Sequence, residues 1–457
     1  MEKITILHTN DIHSHLENWP KIRRFLQSEK IKLEKQNQTV LTFDIGDAID
    51  RVHPLSEATN GKANIELMNA VEYDAATIGN NEGIGNSRSQ LQHLYDNAKF
   101  DIILDNVIDE EANSRPSWAK EYKIMETAVG TKIGIIALTA PFPMTYEMNG
   151  WESNQIDTVL PSLLKKIAGK VDIIILLSHL GLPVDRKVAV KYPQIDIILG
   201  SHTHHLLKSG EKANESLLAA AGKWGMYVGE VAIELENHKI RKEVAKVIET
   251  ESLAEVISDQ DEIAEYRLRG EKILTSEVVA KLPEDLEASW TKNSALMQTS
   301  LKAIEAGTKT DIAMLNGGLF LKNLQKGFVT KNDLHQTLPH PMRVITAKLT
   351  GYNLWRLVQE IKKNRSFLKK FPIKGMGFRG QLFGEVVIDG LVEQENGDLI
   401  YHNEKIDFDA YYTIATVDHF MYIPFFPTIE ITGEISINGK KFLRDYVGDY
   451  LKLEFSV

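Results

Sequence analysis

The sequence predicts an α/β domain followed by an α+β domain, on three observations. At 457 residues the chain is too long for one ordinary core. Its first half alternates short, nearly continuous apolar runs with segments of helical spacing, the pattern of strands buried on both faces beneath helices. Its second half mixes helices and strands without that alternation.

The strand-like runs of the first half are ITILHT (4–9), VLTFDIG (40–46), AATIG (75–79), IGIIALTA (133–140), VDIIILLSH (171–179) and IDIILGS (195–201). Helical spacing lies between them, as in Ile22, Phe25 and Leu26, or Ile65, Leu67 and Met68. VGEVAIELE (228–236) alternates and predicts a half-exposed closing strand. Residues 250–275 are charged, lack Gly and Pro before Gly270, and predict a helical connector. The expected domains are therefore 1–249 and 276–457. The second opens with a helix in SWTKNSALMQTSLKAIEAG, then a buried strand DIAMLNGG, a strand RVITAKL, a helix GYNLWRLVQEI and several strands ending in YLKLEFSV.

Composition narrows the chemistry. The hydrophobic fraction of 43% and charged fraction of 25% are those of a soluble globular protein. There is no cysteine, which excludes disulfides and thiolate metal sites. MEKITILHTND enters a strand at once, without a signal-peptide pattern, and no run approaches the roughly 20 apolar residues of a membrane span. A cytoplasmic protein is expected. A net charge of −10 disfavours nucleic-acid polymers. An anionic small molecule would need local positive charge, which bound cations can supply. No membrane and no obligatory protein partner is indicated.

The chemistry-bearing residues fall in five blocks, each just after a strand run: Asp11-x-His13, Asp47, Asn80, His179 and His202-x-His204. Ligands of open α/β sheets bind beyond the carboxyl ends of strands, so these blocks are expected at one edge of one sheet. Any one alone has an ordinary explanation: a polar turn, an N-cap for Asp47, a left-handed turn residue for Asn80, or a hydrogen-bonded strand-end histidine for His179. Their ordered conjunction points to a metal site. Imidazole and carboxylate donors suit two divalent ions such as Mn, Zn or Fe better than Mg or Ca. Two ions about 3.5–4 Å apart need a bridging carboxylate, and Asp47 is the natural candidate.

These blocks resemble those of the calcineurin-like metallophosphoesterases, and within them the 5′-nucleotidase family. HTNDIHSH is similar to the family's D-x-H block, IGDAID to its G-D block, IGNNEG to its G-N-H-E block, and LLSHLG and GSHTHH to its later histidine blocks. NGGLFLKNLQKGFVTKNDLHQTLPHPMRVITAKLTGYNL and IATVDHFMY are similar to parts of its C-terminal substrate domain. The resemblance implies a four-layer α/β/β/α sandwich carrying two ions. Asp11, His13, Asp47 and His204 would hold one; Asp47, Asn80, His179 and His202 would hold the other. It implies hydrolysis of nucleotides or related phosphate esters by metal-hydroxide attack on phosphorus.

Three departures qualify the implied mechanism. Asn81 stands where the family carries a catalytic His, so Asn80 and Asn81 form the catalytic block. Gly83-Ile84-Gly85 replaces the Asp that supports that His. Gly318-Leu319-Phe320 follows the NGG region without the family's substrate-gripping Arg. Asn316, Arg343, Phe378 and Phe420 are the expected substrate-binding residues, Phe420 as a ring against a base; Arg379 and Phe383 are substitutes. His15, His53 and His205 are the other histidines that could supply a proton. The alternatives are a phosphodiesterase or pyrophosphatase acting on cyclic nucleotides or nucleotide sugars, whose low-pKa leaving groups need no proton donor, and a metal-retaining binding protein with reduced catalysis.

Overall fold

The computed structural model describes residues 1–373 and 378–456, with backbone alone for 438–440. The chain divides into two compact units, Met1–Gly270 and Glu271–Val457.

The first unit is built on two six-stranded sheets. One runs in the order Lys239–Glu249, Tyr227–Glu236, Glu2–Thr9, Thr39–Asp44, Ala75–Ala76, Asp101–Ile102. The other runs Glu211–Ala213, Ser216–Ala219, Ile197–Gly200, Ile173–His179, Lys132–Thr139, Lys123–Glu126. The expectation of a single sheet is thus corrected to two, and the apolar runs show why. Successive side chains of a strand point to opposite faces. Ile173, Ile175 and Leu177 join Ile4, Ile6, Leu41 and Phe43 in a core between the sheets. Ile174 and Leu176 face outward, onto Leu160, Leu163, Leu164 and Ile167 of the helix Ile156–Ile167. On the other side Leu7 and Val40 meet Trp19, Ile22, Leu26 and Leu33 of the helix Trp19–Glu34. The result is four layers, helices outside and two sheets within. Each such Leu or Ile contributes about 1.5–3 kcal/mol when fully buried, so both faces of every central strand are held.

The predicted connector is a helix, Ser258–Thr275. Up to Gly270 it belongs to the first unit. Tyr266 enters that unit's core, Glu262 takes both guanidinium nitrogens of Arg23 at 2.5 and 2.9 Å, and Asp259 pairs with Arg24.

The second unit has a five-stranded sheet in the order Val386–Asp389, Ile312–Asn316, Tyr411–Val417, Arg343–Thr350, Glu434–Phe442. The helices Ala295–Thr308, Gly351–Leu368 and Leu443–Glu454 are among its elements. The last corrects the expectation of a strand through YLKLEF. Leu443, Val447 and Leu451 recur every four residues and are all buried, a helical rather than an alternating pattern. Asp445 accepts from the Phe442 N–H at 2.8 Å and closes the helix start. Among the described residues, no helix is long and apolar enough to cross a membrane.

Candidate metal centre

Strand ends place the ligand candidates, and they come from both sheets. Asp11 and His13 follow Glu2–Thr9, Asp47 follows Thr39–Asp44, and Asn80 opens the helix Asn80–Gly85 after Ala75–Ala76. His179 is the last residue of Ile173–His179, and His202 and His204 follow Ile197–Gly200. Asp11, His13, Asp47, His202 and His204 have φ of 49°, 50°, 51°, 70° and 59°. Left-handed backbone costs a non-glycine residue on the order of 1–3 kcal/mol and collects at functional sites where surrounding contacts enforce it.

Those contacts are visible. Asp11 N–H donates to Gly46 O at 3.0 Å and His13 N–H to Asp47 O at 2.8 Å, tying the first loop to the second. Gly46 (φ +85°) lies so close to Gly79 that a Cβ would come 2.4 Å from the Gly79 nitrogen. A Cβ on Gly79 would meet Asp47 Oδ1 at 2.0 Å. Hence both motifs carry glycine before the functional residue. Glu82 is buried and accepts from the N–H groups of Gly79 (2.8 Å), Ile49 (2.9 Å) and Asp47 (3.0 Å). The sequence reading gave Glu82 no role. The signal was present, for a Glu three residues after a helix N-cap is placed to reach back to it.

The side chains converge. Donor atoms of Asp11, His13 and His204 lie within 4.8 Å of one another, as do those of Asp11, Asp47 and His179. His204 Nε2 is 3.0 Å from His13 Nε2 and 3.5 Å from Asp11 Oδ1. Asp47 Oδ2 is 3.4 Å from His179 Nε2 and 3.8 Å from His13 Nε2. His202 Nδ1 meets Asn80 Oδ1 at 2.8 Å. Asp11 therefore belongs to both close triads, a sharing expected of Asp47 alone. Asp11 is fixed by donors from Ser201 Oγ at 2.6 Å and Asn10 Nδ2 at 2.8 Å, residues of the same motifs that the sequence reading passed over.

Two observations test whether a divalent ion fits. His179 Nδ1–H donates to the Ile45 carbonyl at 2.8 Å, so that the neutral imidazole would present its lone pair at Nε2. That Nε2 is buried without a hydrogen-bond partner and faces Asp47. Electrostatics agree. Burial opposes charge on His179, yet the carboxylates of Asp47 and Asp11 push its pKa up to about 10. Burial would raise Asp47, but His179 and His13 hold it well below the ordinary carboxylate range. Such a pocket stabilises positive charge. Burial, and then the charge of His179, lowers His202 to about 4, so it offers a neutral imidazole. The donor set fits.

Asn81 lines this cluster. Its backbone N–H donates to Asp47 Oδ1 at 2.7 Å. Its side-chain nitrogen lies 3.0 Å from the Ile49 carbonyl and 2.9 Å from His13 Nδ1, and its oxygen accepts from Asn80 Nδ2 at 3.2 Å. The amide is engaged at both ends by the wall of the site.

The residues expected to bind substrate lie in the second unit, where Asn316, Phe378 and Phe420 pack around Phe383 and His419 but are buried. Phe420 is fully buried, stacked on His419 at 4.6 Å between ring centroids and edge-on to Phe383 at 5.6 Å. Phe378 is buried and stacked on His340 at 5.0 Å. Asn316 is buried and donates to the Phe383 carbonyl at 2.6 Å. Arg343 is buried with its guanidinium over the Phe442 ring at 5.4 Å. All four are core residues here. In this conformation neither Phe420 nor Phe378 presents an open face, because large rings beside apolar neighbours pack into the core.

Comparison with known proteins adds the lineage. Residues 4–206 match the calcineurin-like phosphoesterase family model, and residues 275–422 match the 5′-nucleotidase C-terminal domain. The chain is 37% identical over 460 residues to the uncharacterized metallophosphoesterase YunD of Bacillus subtilis, covering 97% of this chain and 98% of that protein. It is 25% identical to the trifunctional nucleotide phosphoesterase YfkN of the same organism, over 90% of this chain and 31% of that protein. The structure of a Haemophilus influenzae NAD nucleotidase shares the fold, with a TM-score of 0.67 at 17% identity over 99% of this chain and 96% of that one.

Proposed function

The chain belongs to the calcineurin-like phosphoesterases that carry a 5′-nucleotidase C-terminal domain and is a metal-dependent phosphoester hydrolase; from that premise we propose that it uses two divalent ions to hydrolyse nucleotides or closely related phosphate esters. The observation that carries this reading is the convergence of imidazole and carboxylate donors from both sheets on one cluster. Asp11, His13, Asp47 and His204 would hold one ion, and Asp47, Asn80, His179 and His202 the second, with Mn, Zn or Fe favoured by the donors. When bound, such ions supply Lewis acidity toward phosphoryl oxygens and an activated water at neutral pH.

The protein's own residues divide the remaining work. Asp11 and Asp47 are locked by backbone and side-chain donors, so the ligand geometry is set before substrate arrives. Asn81 gives the site no acid, because an amide does not protonate an alkoxide. Its engaged geometry favours a second reading within the same class, toward diphosphates, cyclic nucleotides or nucleotide sugars, whose leaving groups depart without a proton.

The test is a panel of mono-, di- and cyclic nucleotides, nucleotide sugars and aryl phosphates with Mn²⁺. Turnover of at least one class is expected, steeply slower as leaving-group pKa rises. Asn81→His should flatten that dependence, by at most the roughly 10²–10⁴-fold that general acid catalysis supplies. A metal-loaded protein that turned over no ester in the panel would overturn the nucleotide reading. A wild-type rate indifferent to leaving-group pKa, with chemistry rate-limiting, would overturn the role assigned to Asn81.

A further inference from the structure

Beside the ligand candidates, on the first unit, lies a cation that stands outside the ion pairs of the described residues. Lys223 belongs to the segment Ala221–Trp224, which backbone and side-chain bonds strap to the ligand loops. Gly222 N–H donates to His205 O at 3.0 Å, Asn10 Nδ2 donates to Gly222 O at 2.8 Å, and Trp224 N–H donates to Asp11 O at 2.7 Å. Lys223 is thus anchored on either side to residues adjoining or forming the D-x-H and H-x-H blocks.

Among the described residues no carboxylate pairs with Lys223. Its Nζ rests over the Trp224 ring, 3.9 Å from the centroid. Arg51, also close to the ligand loops, is by contrast held by Glu57 at 2.7 Å. The other ring against Trp224 is His15, stacked at 4.7 Å, and His15 in turn engages Glu17 at 2.6 Å. Trp224 remains 38% exposed. Its φ of 61° is an outlier for a bulky aromatic residue. The backbone bond to Asp11 and a bond from Asn18 Nδ2 to Trp224 O (2.9 Å) enforce it. A strained, exposed tryptophan that carries a lysine ammonium on its face and is tied by its backbone to Asp11 is not a packing device, because neither side chain is buried.

We propose that Lys223, held in place by Trp224, is a substrate-positioning cation that binds a second phosphate adjoining the scissile phosphoryl. The ammonium is a compact point charge suited to phosphate oxygens. A diphosphate also matches a site whose Asn81 provides no acid. The assignment rests on the phosphoester-hydrolase reading only for what is hydrolysed; the anion site itself is independent of turnover.

The experiment uses the full Mn²⁺-loaded chain, with pyrophosphate and orthophosphate as calorimetric probes and ADP and AMP as substrates. Loss of a charge-assisted bond is worth about 10–100-fold, so Lys223→Ala should weaken pyrophosphate relative to orthophosphate by that factor. It should lower the ADP-to-AMP ratio of kcat/KM similarly, through KM rather than kcat. Lys223→Arg should restore most of the ratio, which a merely structural residue would not show. Pyrophosphate should also alter tryptophan fluorescence, and Trp224→Phe should remove that signal. Equal weakening of both anions would overturn the second-phosphate assignment and put Lys223 on the scissile group. An unaltered pyrophosphate affinity in Lys223→Ala, with metal content intact, would overturn the site altogether. A wild type that hydrolyses neither nucleotide yet binds pyrophosphate through Lys223 would sink the nucleotide reading and leave this one standing.

Discussion

The two units treat their motif residues in opposite ways. In the first, polar residues after the strands are held in left-handed backbone, fixed by neighbouring loops, and brought together from two sheets around one point. In the second, the residues that family motifs single out are folded into the core, against rings and backbone of that unit. The difference teaches what a motif can specify. A carboxylate or imidazole after a strand has no stable place except against a cation or a donor, so its chemistry predicts its surroundings. A phenylalanine is equally at home against a base or against another phenylalanine, and its motif does not choose between them.

The largest effect expected from this contrast is in metal content. Asp11 belongs to both triads and Asp47 contacts His13 and His179, so Asp11→Ala and Asp47→Ala should each release more metal than His204→Ala. Activity should fall by at least about 10²–10³-fold, the scale of losing a main charge-stabilising group. Mass spectrometry of the dialysed protein reads the metal directly. Equal retention in Asp47→Ala and His204→Ala would mean that Asp47 is no bridge.

Next comes Phe420. As a core residue, Phe420→Ala should cost about 3–5 kcal/mol of stability, read as a lowered Tm or urea midpoint. Phe420→Leu should cost less than about 1.5 kcal/mol and leave substrate ranking alone. A changed ranking in Phe420→Leu at nearly unaltered Tm would show that this ring reaches substrate in another conformation, and the contrast between the units would break.

The smallest effect concerns a property the units share. Burial lowers His8 in the first unit to about 4 and His419 in the second to about 3, from an ordinary 6.5. The unfolded chain then binds the proton first. Their contribution to stability is complete above pH 6.5 and is lost as pH falls through that value toward about 4 and about 3. Between pH 7.5 and 5 each loses about 2 kcal/mol by linkage. Urea melts of metal-free protein between pH 7.5 and 5 should steepen with acid, and His8→Leu and His419→Leu should each reduce the slope. A slope equal to wild type in either variant would mean that its imidazole is hydrated in the fold.

Much of the first unit was legible because its signals are local. Alternating runs that bury both faces require helices on either side, and Gly46 and Gly79 announce loops packed too closely for a Cβ. The four-layer order could be expected only through family resemblance, because strand spacing along a chain does not say whether Ile173–His179 pairs beside Thr39–Asp44 or forms a second sheet. The C-terminal helix was misread for a related reason: Tyr450–Phe455 alternates well enough for a strand, and only Leu443, Val447 and Leu451 taken together reveal the longer period.

The sequence by itself determined the donor types, their order, the absence of thiolate chemistry and the presence of an asparagine, Asn81, beside Asn80. These are facts of composition and covalent order, and no fold alters them. Only the tertiary structure decided that Asp11 is shared by both triads, that Glu82 holds the Asp47 loop, that Phe420 lies in the core, and that Lys223 stands over Trp224 beside the ligands. Those are relations between residues tens to hundreds of positions apart. They depend on which strands pair and which loops meet, and that is settled by packing the whole chain at once.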